Sequence, residues 1–280
     1  MRKKFKANRA ILLIMTLIVY AIITFILTLL YDNVPIIWRF SVFSQDSFYL
    51  SFITNLYSGL VDFIIFTLVI WIFNQKLDKK DQINKYQNEI DDCRFWMSEE
   101  AMHKIWGNIR RLQEMEIHTY DLSKCMLDKI KLKECIFLKS KFMGANIKKA
   151  NLTESEFIES SFQGAFLDES NIKKAKLKKC NCNYLKAHLL KAQSTHISDC
   201  TFRNAEFDGA DFSYAIFKDC DFKKVSFKDV CLYRANLKGA KNLTSEQLLQ
   251  CKNIEYIVLD EKHYLNPEIR KKSKKFPPSK

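Results

Sequence analysis

Glycine is scarce in this chain, with six in 280 residues, and none of the six sits in the kind of Gly-rich loop that cradles phosphate. Histidine is scarcer. The five, His103, His118, His188, His196 and His263, have no second histidine and no carboxylate at a metal-ligand spacing, and His188 and His196 are expected to face solvent. No Ser, Thr or Cys has a base close by in sequence, so a nucleophile could be assembled only from distant parts of the chain. These absences lead to the expectation of a protein that is not an enzyme, with no catalytic residue, no cofactor and no metal.

What the chain has in abundance is a period of five. Counting from Leu122 to Leu237 gives 24 centres, of which 21 are Leu, Ile or Phe. Two residues before most centres sits something small, as in Ala145-Asn146-Ile147, Ala150-Asn151-Leu152, Ala205-Glu206-Phe207, Ala210-Asp211-Phe212 and Ala235-Asn236-Leu237. The other three positions are mostly Lys, Asp, Asn, Glu and Ser. Neither a helix nor a flat strand repeats every five residues, and a fixed repeat is read as an architecture. If the backbone turns a corner every five residues, the large and the small residue both point inward and four repeats close one square coil.

On these residues the sequence resembles the pentapeptide repeat family, whose motif is Ala-Asp/Asn-Leu/Phe followed by two variable residues. The resemblance covers all 24 repeats and implies an all-β, right-handed quadrilateral β-helix that binds rather than catalyses. Residues twenty apart should then stack: Phe137 on Phe157, Phe142 on Phe162, Phe202 on Phe222 and Phe207 on Phe227, with Phe212 and Phe217 also in the core. Ser140, Ser160, Cys180, Cys200 and Cys220 form one expected small column, and Ala145, Ala165, Leu185 and Ala205 another. Leu185 with Ala187, and Leu190 with Ala192, invert large and small, a swap that conserves volume. Four repeats per turn give about six coils, roughly 29 Å at ~4.8 Å per strand spacing.

Charge is uneven. Of the net +13, Met1 to Arg9 supplies +5 and Arg270 to Lys280 supplies +6. Between Ile117 and Ala240 there are 22 Lys and Arg against 15 Asp and Glu, a surplus of seven positive charges. The best-known members of the resembled family are acidic DNA mimics that bind gyrase; a basic solenoid cannot imitate polyphosphate, so gyrase binding ranks third and no nucleic-acid partner is expected. Of nine cysteines, Cys125, Cys135, Cys180, Cys200 and Cys220 fall on small inward slots, where a thiol acts as a compact hydrophobe. Cys180-x-Cys182 has no second pair nearby and reads as core filling. The odd number points to free thiols and a reducing compartment.

Before the repeats, residues 1–9 are basic, and 10–31 run without a charge until Asp32, long enough to cross a bilayer. A signal peptide would have a shorter apolar region and a small-residue cleavage site. A second apolar run, 51–73, ends in Trp71 and Phe73 ahead of Lys76, Lys79 and Lys80, so the expectation is a two-helix transmembrane hairpin with an external loop at 32–50. The positive-inside bias puts both termini and the β-helix on the cytoplasmic side of the cell inner membrane. Ser51, Asn55, Ser58 and Asp62 form a polar stripe on one helical face, near the depth of Tyr20 and Thr24. Three readings stand: glue bonded to Tyr20 and Thr24 or across a homo-oligomer interface, a ring of Asp62 residues around an ion path, or an Asp62 that snorkels to water.

Residues 74–116 read as a helical connector and N-terminal cap. Ile83, Tyr86, Ile90, Cys93 and Met97 lie on one face, either docking on the protein itself or forming a self-associating stalk. Ser98 can cap a second helix with Glu99 and Glu100 in its first turn and Met102, Ile105, Trp106, Ile109 and Leu112 as its apolar face, covering the first coil of a β-helix at 117–240. At 241–265 a C-terminal cap is expected, with a helix from Thr244, a capping box to Gln247, and a hydrophobic strand Tyr256-Ile257-Val258-Leu259 like the endings of other members. Residues 266–280 read as a basic disordered tail, either solubilising or placing Arg270, Lys271, Lys272, Lys274 and Lys275 as candidate contacts to membrane lipid. The leading expectation is a membrane-tethered scaffold whose β-helix binds a protein partner. Its rival is an oligomeric channel or membrane-disrupting effector, for example in antiphage defence, with the β-helix as sensor.

Overall fold

In the computed structural model the described residues are 15–26, 28, 29 and 46–274, with backbone only at 46–50 and 53. The chain divides into two compact units, Met1–Gln82 and Ile83–Lys280.

The first unit holds α1 (Met15–Ile26) and most of α2 (Asp46–Asp92). α2 is a single rod of 47 residues, about 70 Å at ~1.5 Å per residue. It starts before the expected loop ends at residue 50, and it continues past Phe73, where the second span was expected to give way to a separate connector. The reason lies in composition: between Asp46 and Asp92 the one glycine is Gly59 and there is no proline, so nothing breaks the helix. Among the described residues one helix, over Thr54–Asp92, is long and apolar enough to cross a membrane, and α1 is shorter than that. The expected two-span hairpin is therefore met by one such helix; residues 1–14, 27, 30 and 31 of the first span and its basic lead lie outside the described residues.

In the second unit, every side of the solenoid repeats one backbone unit. The central residue donates its amide to the next coil (Leu122 to the Lys141 carbonyl, 2.7 Å), as does the residue two further on (Lys124 to Met143, 2.9 Å), and the residue before the centre donates back (Lys141 to Tyr120, 2.8 Å). Strands β1 (Ile136–Leu138), β2 (Glu156–Ile158), β3 (Lys176–Lys178), β4 (His196–Ser198) and β5 (Ile216–Lys218) form one parallel sheet in chain order, each twenty residues from the last. Columns of single bridges through Asp121–Lys141–Ser161, Met126–Asn146–Phe166 and Lys131–Asn151–Asn171 supply the other three sides. The result is a four-sided parallel β-solenoid.

The corner is made by the residue two after each centre. From 124 to 239 every fifth residue has positive φ, and only Gly144, Gly164, Gly209 and Gly239 among these 24 are glycine. The other twenty include no Val, Ile or Thr, whose branched Cβ tolerates that region worst. Asn or Asp before the centre locks the turn: the side chains of Asn146, Asn151, Asn171, Asn181, Asp211, Asp221 and Asn236 each accept from the amide two residues on.

Inside, all ten expected phenylalanines are buried. Phe137 lies on Phe157 at 4.9 Å and Phe142 on Phe162 at 4.7 Å, nearly parallel, while neighbours on adjacent sides such as Phe137 and Phe142 meet edge to face. Phe202 stacks on Phe222 at 5.6 Å, and Phe207 meets Phe227 tilted at 6.1 Å. Leu185, Ala187, Leu190 and Ala192 are buried as the inversion requires. A void of about 20 Å³ remains beside Cys182, Leu185 and Leu190, between the Phe162 and Phe202 levels.

Ser98 caps α3 (Glu99–Glu114), accepting from Ala101, and Met102, Ile105, Ile109 and Leu112 are buried in the same core as the first coil. The Trp106 indole donates to the Lys131 carbonyl at 2.9 Å. Ile90 and Cys93 are buried there too, with Ile83 and Tyr86 packed alongside, so this stretch docks on its own protein; Met97 is left out, exposed.

At the other end Thr244 and Gln247 form the capping box of α4 (Ser245–Leu249), and the Gln247 amide donates to the Phe222 and Val225 carbonyls. Two expectations are corrected beyond it. Tyr256–Leu259 is not a strand: α4 is an insertion after which the five-residue repeat resumes, with Cys231 bridged to Asn253 and Asn236 to Val258. Asn253 makes the same turn bond, Tyr256 is a left-handed corner, and Ile254, Ile257 and Leu259 point in. Nor is the tail disordered up to 274. Short α5 (Glu261–Tyr264) leads to α6 (Pro267–Ser273), capped by Asn266 with Pro267 in its first turn and anchored by buried Ile269. Counting only its basic residues hid that helix-start signal.

A Cβ built on Gly164 meets nothing within 4 Å, so a substitution there tests the corner backbone alone. Gly164→Val is expected to cost about 1–2 kcal/mol, whereas Gly164→Asn stays close to wild type. Phe207→Ala should cost about 3–5 kcal/mol. Urea midpoints followed by far-ultraviolet circular dichroism check all three; a Val variant as stable as the Asn variant would show that the corner imposes no restriction.

Candidate interaction surface

The outward residues stack in ladders one coil apart, and many rungs are ion pairs. Lys176 meets Glu156 at 2.6 Å, Lys148 meets Asp168 at 3.0 Å, and Lys139–Glu159, Lys149–Glu169 and Lys174–Glu154 lie between 3.6 and 3.8 Å. Exposed pairs of this kind each stabilise by about 0–1 kcal/mol; their larger effect is to fix where charge sits.

His188 does not simply face solvent. Its Nδ1 lies 2.7 Å from Asp168 and its Nε2 3.2 Å from Glu206, each one coil away, while its backbone amide donates to Asp168. Asp168 is held below the usual carboxylate range: burial works against this, and the Lys148 and His188 hydrogen bonds outweigh it. Separations of 20 and 18 residues are invisible to a search for local spacing but follow from the coil length. His196 is exposed in β4. Among the described residues no group of three or more His, Cys, Asp or Glu could hold a metal ion. The cysteines are free, and all but Cys135 and Cys231 are buried. Burial pushes the Cys125 thiol up to about 11 and Cys251 up to about 12, far from a reactive thiolate.

A second cluster was not singled out by the repeat. Along one corner Tyr214, Arg234 and Tyr256 follow one another coil by coil, tied by hydrogen bonds from the Tyr214 amide to the Tyr233 carbonyl and from the Arg234 amide to the Glu255 carbonyl. The Arg234 guanidinium lies 5.9, 5.5 and 5.6 Å from the rings of Tyr214, Tyr233 and Tyr256. Its signal was present in the sequence as aromatics at 214, 233 and 256, near multiples of twenty.

Within the first unit, α1 packs on the Leu56–Gly59 side of α2. The Tyr20 hydroxyl donates to the Leu56 carbonyl at 3.3 Å, and a Cβ on Gly59 would lie 3.1 Å from it. Thr24 donates to the Tyr20 carbonyl. Neither hydroxyl bonds Asp62. At 100° per residue, Ser51, Asn55, Ser58 and Asp62 centre roughly 120° around the helix from that packed side, and all four are exposed. Of the tail cations, Lys272 donates to the Leu249 carbonyl at 2.9 Å and to Cys251, and Lys274 pairs with Glu255. Arg270 and Lys271 are exposed, and Lys275 lies outside the described residues.

A four-sided parallel β-solenoid with a five-residue side defines the class of protein. The family model for pentapeptide repeats matches residues 150–181 and 200–239, with eight copies, so these stretches of the solenoid are pentapeptide repeats. No curated protein matches the chain. Among solved structures, HetL from the cyanobacterium Nostoc sp. strain PCC 7120, a pentapeptide repeat protein involved in heterocyst differentiation regulation, is 18% identical over 52% of this chain and 74% of its own, with a TM-score of 0.35. QnrB1, a plasmid-mediated fluoroquinolone resistance protein, is 14% identical over 54% of this chain and 86% of its own, with a TM-score of 0.32. A pentapeptide repeat protein of the Arabidopsis thaliana thylakoid lumen is 21% identical over 42% and 71%, with a TM-score of 0.20.

In the C-terminal cap, His263 is buried and its Nε2 has no hydrogen-bond partner. Burial first, then Lys262, lowers its pKa from 6.5. The cap is therefore fully stable above 6.5; below it the unfolded cap takes up a proton that the folded one refuses, and stability falls until the lowered folded value is reached. Hydrogen-exchange protection of residues 254–273 should drop as the pH falls below about 6.5, and His263→Leu should flatten that drop. An unchanged pH response in the variant would remove His263 from the account.

Proposed function

We propose that this chain is a non-enzymatic, membrane-anchored interaction scaffold, in which α2 fixes the protein to the inner membrane and the β-helix presents its sides to a protein partner in the cytoplasm. The observation that carries the reading is the surface of α2. Val61, Ile64, Ile65, Phe66, Leu68, Val69, Trp71, Ile72 and Phe73 are all exposed over about three and a half turns. So continuous an apolar surface is costly in water and is satisfied by lipid. Lys76, Lys79 and Lys80 directly after it favour a cytoplasmic exit and so a cytoplasmic β-helix. A rigid, regular solenoid suits binding better than turnover.

A second reading, an oligomeric channel or membrane-disrupting effector, is favoured by one specific observation: Asp62 faces away from α1. An ionisable side chain on a lipid-facing side is expensive, so a membrane-embedded α2 would turn it toward other copies or toward water.

Cell fractionation tests the shared premise: the full chain should stay in the membrane pellet through a carbonate wash, and a chain beginning at Asn74 should not. A full chain recovered in the soluble fraction sinks both readings. Expression with a membrane-potential dye then separates them. The scaffold predicts no depolarisation and no effect of Asp62→Asn; depolarisation by the full chain, altered by Asp62→Asn and lost in Asp62→Leu, would replace it with the effector.

A further inference from the structure

The Tyr214–Arg234–Tyr256 corner has features that the solenoid does not need. The corner positions are left-handed, where a bulky side chain is disfavoured, yet Tyr214 and Tyr256 occupy them with φ of 61° and 58°. Most other corners carry Lys, Glu, Asp, Ser, Asn or Gly. Tyr214 is 49% exposed and Arg234 is also exposed, so the rings do not serve the core. Tyr233 stands edge-on to both tyrosines, at 5.5 and 5.9 Å, which holds the group in one arrangement. Tyrosine and arginine fixed in place on an exposed surface are the residue types that dominate binding energy at interfaces. Rigid placement also removes much of the entropic cost of ordering them.

The charge around this corner selects the partner. On the same side Lys173, Lys191 and Lys252 are exposed. The two carboxylates there are occupied: Asp211 accepts from Ser213 and Gln193, and Glu255 pairs with Lys274. A guanidinium with aromatic rings near its faces recognises carboxylates through its edge. We propose that Tyr214, Tyr233, Arg234 and Tyr256, flanked by Lys191 and Lys252, dock an acidic segment of a partner protein. This rests on the scaffold reading and names the partner's chemistry.

The test uses the full chain in a zwitterionic detergent and a fluorescein-labelled peptide of Asp, Glu and Ser, followed by anisotropy. Saturable binding is expected, weakened about tenfold or more by Tyr214→Ala and by Arg234→Lys, which keeps the charge but loses the fork. Lys228→Ala, on another side of the solenoid, should leave binding unchanged. Circular dichroism melts confirm that the variants remain folded. No binding, or an equal loss in Lys228→Ala, overturns the proposal, since bulk positive charge would then suffice. Tighter binding of a single-stranded oligonucleotide than of the peptide also overturns it, in favour of nucleic acid. In cells, p-benzoylphenylalanine substituted for Tyr214 or for Lys228 separates the two levels. Crosslinks to protein from position 228 alone sink the acidic-segment site and keep the scaffold; crosslinks from neither sink the scaffold.

Discussion

One left-handed residue per side governs this solenoid. Because the chain turns at the residue two after each centre, the centre and the next small residue both face inward, and the remaining positions face out. Without that turn, a five-residue hydrophobic period could not be buried on any regular backbone. The turn is disfavoured for every residue but glycine, Asn and Asp, and the structure offsets this with local bonds rather than with glycine. The carboxamide or carboxylate before the centre accepts the amide after it, and the corner amide itself is bonded to the next coil, as Lys124 is to Met143. Each coil therefore depends on its neighbour to hold its own corners, which makes the array cooperative along its axis.

That dependence explains both ends. A terminal coil lacks one neighbour, so its carbonyls and amides need other partners. At the start α3 supplies them through Trp106 on the Lys131 carbonyl and Gln113 on Ile136. At the far end Gln247 takes the Phe222 and Val225 carbonyls, Tyr256 donates to Ser273, and Lys272 reaches Leu249. The basic residues of the C-terminus are thus divided: some satisfy backbone, others such as Arg270 and Lys271 remain at the surface.

Much of this was legible in the sequence because the determinants are local and periodic. The centres, the stacked phenylalanines, the Leu185–Ala187 inversion, the Ser98 cap and the Thr244–Gln247 box all follow from residue type at fixed spacing. The left-handed corners were equally present, as an absence of Val, Ile and Thr at 24 positions, but an absence is easily passed over. What could not be read by spacing were contacts made across a coil: His188 between Asp168 and Glu206, and Arg234 among three tyrosines. The resumed repeat at Asn253 was hidden because α4 shifts the register from twenty residues to twenty-two. In α2 the contrast between apolar and polar halves suggested two elements. Helix continuity depends on the lack of breakers rather than on hydropathy, so one rod resulted.

A solenoid held this way has little freedom to reshape its surface, and that limits the ways in which it can act. Side chains on one side stand about 4.8 Å apart along the axis, each tied to the backbone of the next coil, so a partner meets a surface already in its binding arrangement. Affinity can then come from a few anchored groups, because little ordering cost is incurred on contact. The same stiffness argues against a cleft that closes over a substrate. The core void of about 20 Å³ is enclosed by Phe, Leu and Cys and has no polar lining, so it offers nothing for a ligand to bond. Specificity in such a protein is written in which side chains occupy the outward rungs, and the tyrosines at 214, 233 and 256 around Arg234 are a place where the surface departs from the charged and small polar pattern that the fold itself requires.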